Sequence, residues 1–269
     1  STGRGHAVRD VSFLLSVVGK GGAEAARMAR TIHLEKITMA DVDALHRLYT
    51  SDEPPPVTHL QNTSMLEMLV REVFAGTTQN EKHALQCRYL LAYATCVSPD
   101  CPITEETHLK IEDTLETLEK VFSLLQPLTE QSWGKLAEHI HLPVVAHGLL
   151  LCIETQLCDP SFFLNFVPSS PPLCLLLHER IAVRHAALRP HALHVLTRAL
   201  ESDYAVSEMV QSRVRELLMQ RLLYLFSLDF AIPVLTYIEE KQSKLDTSLV
   251  VAFVLEVRRE RERERERER

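Results

Sequence analysis

Thirteen histidines and six cysteines are the residues of this chain with the most chemistry to offer. The nearest ligand-like pairs are His139-x-His141, His191-x2-His194 and Cys96-x4-Cys101. Zinc needs four converging donors, usually from two closely spaced pairs, and no second half-site of regular spacing follows any of the three. Ordinary core and surface histidines with free thiols account for them better, and no metal or cofactor is expected. A metal-dependent enzyme built on His139, His141, Cys152 or Cys158 remains as a rival reading. Nucleophilic and phosphate-binding signatures are missing: there is no Gly-x-Ser-x-Gly elbow, no dinucleotide fingerprint and no Walker loop. Gly19-Lys20-Gly21-Gly22 has neither the spacing nor the hydroxyl such a loop requires and reads as a helix end and turn. No catalytic residue is therefore assigned. Asn62-Thr63-Ser64 fits a glycosylation sequon, but in a chain that reads as reduced and intracellular chance or a helix start is the better explanation.

One cluster of basic residues stands out. His178, Arg180, Arg184, His185, Arg189, His191, His194 and Arg198 fall within 21 residues and are opposed only by Glu179. Arg180 and Arg184 are one helical turn apart, and Arg189 and Arg198 bracket the next segment. A cationic ridge suited to phosphate would result, with Arg180, Arg184, Arg189 and Arg198 as candidate nucleic-acid contacts. No aromatic residue is interleaved to stack on bases, so a solvated helix face is the competing explanation.

The elements that must carry these groups read as helices. Ile111, Leu115, Leu118, Phe122 and Leu125 recur at steps of four and three, with Glu112, Glu116 and Glu119 opposite. Val210, Val214, Leu217, Leu222 and Leu225 repeat the pattern, with Arg221 on the same line. Thr38 with Asp41 three residues on signals a helix start, and Pro143, Pro172, Pro190 and Pro233 each open an apolar segment. Asp52-Glu53-Pro54-Pro55-Pro56, 97–102 and 167–172 are breaks, because proline removes a donor and extends its predecessor. Period-2 alternation is absent, and only Leu249–Leu255 is ambiguous between helix and strand. Leu142-Pro143-Val144-Val145 and Ile232-Pro233-Val234-Leu235 lie 90 residues apart, two units of 45, within the ~40–47 residues of HEAT-type repeats. The expectation is an all-α fold of roughly a dozen helices, an antiparallel HEAT-like or α-solenoid array, in one domain over 1–257.

Composition supports that class. Eight glycines among 269 residues are about 3%, against ~7% in average proteins, which disfavours Gly-rich sandwiches and propellers. Apolar residues make up 46% and charged residues 24%, with a mean hydropathy of −0.03. The net charge is −7; residues 258–269 contribute seven arginines and five glutamates, so the remainder carries −9. A body this acidic is not a dedicated nucleic-acid binder, and RNA contact would have to be local. The Arg/Glu tail offers no apolar face at any period and is expected to stay solvated. The cysteines sit mostly in apolar runs, as buried reduced thiols of an intracellular protein do. The longest apolar run has seven residues, far short of the ~18 of a membrane span.

Several strings in order carry a family resemblance: Leu48-Tyr49-Thr50-Ser51-Asp52-Glu53-Pro54-Pro55-Pro56-Val57, then Leu90-Leu91-Ala92-Tyr93-Ala94, Leu142-Pro143-Val144-Val145-Ala146-His147-Gly148, Ile232-Pro233-Val234-Leu235-Thr236-Tyr237-Ile238 and Lys244-Leu245-Asp246-Thr247. Across about 6–257 the chain resembles the C/D subunit family of the negative elongation factor. That resemblance implies a non-enzymatic helical scaffold in the nucleus. Such a scaffold pairs with the A subunit, connects to the B and E subunits, and helps hold paused RNA polymerase II and nascent RNA. It also implies a partial chain, the middle to C-terminal part of a protein about twice as long. Two departures are visible. Thr95–Pro102 carries no lysine where the family has a lysine-rich stretch, and the Arg/Glu tail replaces the family's C-terminal segment. A generic helical-repeat adaptor outside transcription is the alternative.

Overall fold

The computed structural model describes residues 38–75, 80–165, 167 and 170–241, with 250, 251, 253–255, 257, 259 and 262 beyond them. Gly19–Gly22, the Lys244–Thr247 string and nearly all of the Arg/Glu tail lie outside the described residues. Every described element is helical and no strand occurs among them, so the all-α class holds. The chain divides into two compact units, 1–127 and 128–269.

The first unit is organised around one helix. Helix α1 (Met39–Tyr49) starts at Thr38, whose hydroxyl accepts from the Asp41 amide while the Asp41 carboxylate accepts from the Thr38 amide at 3.0 Å. This is the reciprocal cap that the Thr38/Asp41 spacing predicts. The Pro54–Pro56 run ends in a single 3-10 turn, Val57–His59. Helices α2 (Thr63–Phe74), capped by Asn62, and α3 (Glu81–Cys96), capped by Asn80, follow, and then α4 (Glu105–Leu125). Helices α1, α2 and α4 all pack on α3. Its run Leu90-Leu91-Ala92-Tyr93-Ala94 is buried throughout, and five consecutive residues go right around a helix, so this stretch of α3 is interior on every side, while Glu81, Lys82 and Leu85 nearer its start are exposed.

Two of the strings that carry the family resemblance meet here. Tyr49 lies 5.2 Å from Tyr93, and its hydroxyl donates to the Pro56 carbonyl at 3.2 Å. The Gln61 side-chain amide donates to the Ala94 and Val97 carbonyls, both at 2.9 Å, supplying partners for acceptors that a helix C-terminus otherwise leaves open. Even the buried arginine on α3 is accommodated. The Arg88 guanidinium sits 4.8 Å over the Phe122 ring and its Nε donates to Ala84 O, which offsets the cost of burying it.

In α4 the observed buried line is Ile111, Thr114, Leu118 and Val121, whereas Leu115, Phe122 and Leu125 are half-buried. The spacing predicts the helix correctly but places its face about one residue off. The reason is local: Thr114 meets the Cys96 thiol at 3.2 Å and can be buried with a partner, which periodicity of apolar residues does not register.

The second unit comprises α5 (Glu130–Leu136), α6 (Pro143–Leu157), α7 (Leu173–Arg184), a 3-10 turn (Ala186–Leu188), α8 (Arg189–Glu201), α9 (Glu208–Ser227) and α10 (Ala231–Lys241). Pro143 and Pro190 stand in first turns, Pro233 is the third residue of α10 and Pro172 takes the N-cap of α7. Helix α8 packs on α6, α7 and α9; α7 also meets α5, α6 and α9. Phe163 and Tyr204 stack edge to face at 4.8 Å, and the Tyr204 hydroxyl lies 2.8 Å from both the Leu157 and Ala199 carbonyls. After α9 the chain turns at Asp229 with φ 57°, a left-handed conformation that aspartate tolerates at a helix end. The described residues of 249–255 are helical rather than extended, and Phe253 packs its ring against Phe226.

Candidate nucleic-acid interface

All eight basic residues of the cluster lie on α7, α8 and the turn between them, but the fold gives them different work. His178 faces inward. It is 1% exposed, its Nε2 donates to the Ala192 carbonyl of α8 at 2.8 Å, and its Nδ1 has no partner. Burial drives its pKa down to about 4 despite the opposing effect of that hydrogen bond, and the nearby Arg221 cation pushes the same way as burial. His178 is therefore neutral at physiological pH and belongs to the core.

Arg189 is also committed. Its Nε donates to the Ala182 carbonyl of α7 at 3.1 Å, and its Nη1 donates to the Leu228 carbonyl at the end of α9. The guanidinium thus joins the C-terminal ends of two helices, where both orphan carbonyls and the macrodipole favour a cation. His185 lies against the Ile140 carbonyl at 2.6 Å. Within α8, His191 stacks on His147 of α6 at 4.4 Å, while His194 and Arg198 share the Glu154 carboxylate at 3.5 and 3.6 Å. Glu179, the one acid among them in sequence, forms a hydrogen-bonded ion pair with Arg221 of α9, both side chains mostly buried.

Arg180 and Arg184 are what remain. Both are exposed on α7, one turn apart, and neither has an ion pair or side-chain hydrogen bond among the described residues. The four candidate arginines are thus not one ridge: Arg180 and Arg184 share a face, Arg198 is paired across to α6, and half-buried Arg189 is tied into a helix junction. Sequence spacing brings out the first pair because it lies within one helix. The partners of Arg189 and His178 are 39 and 14 residues away and have no local signal.

The ligand-like pairs do not converge. Among the described residues no three of His, Cys, Asp and Glu are grouped to hold a metal ion. His139 is half-buried, and the Nδ1 of exposed His141 lies 3.1 Å from its own turn's Glu138 carbonyl. Burial pushes the Cys152 and Cys174 thiols up to about 12, and Cys158 caps the end of α6. Cys96 donates to Lys110 O and Cys101 is exposed, both as free thiols. A further Cys–His contact, one helical turn apart on α3, occurs in the first unit. Cys87 Sγ is 3.7 Å from His83 Nε2, which is 3.6 Å from Glu72. The Cys87 thiol is buried, and desolvation, with the Glu72 charge adding to it, raises its pKa to about 12, so it remains protonated and a poor nucleophile. No described helix is long and apolar enough to cross a membrane.

Residues 2–260 match the family model described as TH1 protein. The chain is 25% identical over 267 residues to Negative elongation factor D of Mus musculus and 24% identical to its Sus scrofa counterpart. Each alignment covers 94% of this chain and 45% of the relative, so the chain spans about half the length of the curated relatives it matches. With nearly its whole length matched, the chain belongs to the TH1 protein family.

Proposed function

We propose that this chain is part of a scaffold subunit of a negative elongation factor complex, acting in the nucleus without enzymatic activity to slow RNA polymerase II elongation near promoters. The observation that carries the reading is the family match over 2–260 together with similarity to proteins named negative elongation factor D. The geometry is compatible with it. The shared strings Leu48–Val57 and Leu90–Ala94 pack on each other as architecture, and the buried thiols suit a framework better than a reaction centre. The partners of this reading are the A, B and E subunits, the polymerase and nascent RNA. Its mechanism is differential binding: a complex that binds the paused state of the polymerase better than the elongating state shifts the population by that difference in affinity and no more.

The test is purification of the tagged full-length gene product from nuclear extract. Co-elution with A, B and E subunits in fixed ratio, and a longer promoter-proximal pause when the complex is added to a transcription reaction, are the expected results. Exclusion of the full-length protein from the nucleus, or its elution without those subunits, would contradict the proposal.

A further inference from the structure

Helix α7 packs on α5, α6, α8 and α9, yet one side of it remains uncovered. Leu173, Leu176, Arg180, Val183 and Arg184 are all exposed. At 100° per residue these five positions fall within an arc of about 100°, so they form one stripe along the helix. Leu173, Leu176 and Val183 are 39%, 36% and 49% exposed, while the opposite side of α7, Cys174, Leu175, His178, Ile181 and Ala182, is buried. The stripe is therefore not a helix turned out of register. Its core face is satisfied, and the aliphatic groups on the outer face are additional.

Its charge distinguishes among occupants. Arg180 and Arg184 have no acidic partner among the described residues, although the chain outside the Arg/Glu tail carries −9. The one carboxylate beside them on α7, Glu179, is taken by Arg221. Pairing this stripe with itself about a two-fold axis would bring four arginines together, which disfavours a second copy. Single-stranded nucleic acid would favour aromatic side chains between the cations; here the interleaved residues are two leucines and a valine. Aliphatic anchors with two unpaired guanidiniums one turn apart, about 6 Å along the axis, match an amphipathic helix of opposite charge. Arginine's planar fork is suited to holding carboxylates there.

We infer that the outer face of α7 is a docking surface for an acidic amphipathic helix of a partner protein, with apolar residues seated on Leu173, Leu176 and Val183 and carboxylates on Arg180 and Arg184. The inference deepens the scaffold reading and rests on it for the existence of a protein partner. The experiment places the photo-crosslinking amino acid p-benzoylphenylalanine at Leu176 in the full-length protein, crosslinks in intact nuclei and sequences the attached peptides. A control position is Glu119, exposed on α4. The expected product is a single peptide with apolar residues at three- and four-residue spacing and at least two interspersed Asp or Glu. Arg180→Glu with Arg184→Glu should lower its yield at least tenfold without changing the melting temperature. Crosslinks to RNA, crosslinks no more abundant than from Glu119, or a peptide whose yield survives the charge reversal would each overturn the inference. Failure of wild-type protein to co-purify with elongation-factor subunits would remove the scaffold reading instead, and the identity of the crosslinked peptide is read independently of it.

Discussion

Helices α3 and α7 carry similar residues and end in different situations. Each is a short apolar helix with histidine, cysteine and arginine on it, and each packs against several neighbours in its own unit. In α3 the arginine is enclosed: Arg88 lies over Phe122 and bonds the Ala84 carbonyl, and Leu90–Ala94 are buried on all sides. In α7 one flank is closed by His178 and Ile181, while Arg180, Arg184 and three aliphatic residues are exposed, the two arginines with no ion pair or side-chain hydrogen bond among the described residues. A cation's role follows from whether an acceptor or ring is placed for it, and that is decided by the neighbouring helix rather than by its own.

The largest effect should come from cutting into the enclosed helix. Leu91→Ala removes a fully buried side chain and should cost about 3 kcal/mol, read as a lower urea midpoint with an unchanged slope. Leu176→Ala on α7 should stay within about 0.5 kcal/mol of wild type in the same titration. Comparable losses at the two positions would erase the distinction between them.

Acid should reveal the closed flank of α7. His178 has a folded pKa of about 4, below the 6.5 of an accessible histidine, so the unfolded chain takes up the proton first. Its contribution is present in full above pH 6.5 and is lost as pH falls from 6.5 through 4, roughly 3 kcal/mol in all. In a His178→Gln variant the stability curve should be flatter over that window; an identical curve would show that the imidazole is not the group responsible.

Arginines separate next. Arg189→Ala strips partners from the Ala182 and Leu228 carbonyls and should destabilise by about 1–3 kcal/mol. Arg184→Ala, with nothing to unpair, should change thermal stability by less than about 0.5 kcal/mol. If both behaved alike, Arg189 would not be holding the helix junction.

The extent to which the sequence discloses this structure follows the same division. Local signals are legible: the Thr38/Asp41 cap, the prolines at helix starts and the breaks at Asp52–Pro56 and 97–102 all occur where their chemistry dictates. The caps at Thr104 and Thr129 escape the usual pattern because Thr107 and Ser132, not Glu or Gln, close them. Helix faces are legible to within a residue, since a polar residue with a partner, such as Thr114, can take a core position. The candidate interface is legible only where it lies within one helix, at Arg180 and Arg184. That Arg189 would bind carbonyls, and that His178 would be buried and neutral, depends on contacts between helices that no spacing encodes.

The most direct test of the account compares carbene footprinting of the full-length protein alone and in its purified complex. Labelling at Leu173, Leu176 and Val183 should fall several-fold on assembly, while Leu90 and Leu91 of α3 stay at background in both states. Equal labelling of the α7 face in the free and assembled protein would contradict the claim that this face is where the scaffold receives a partner.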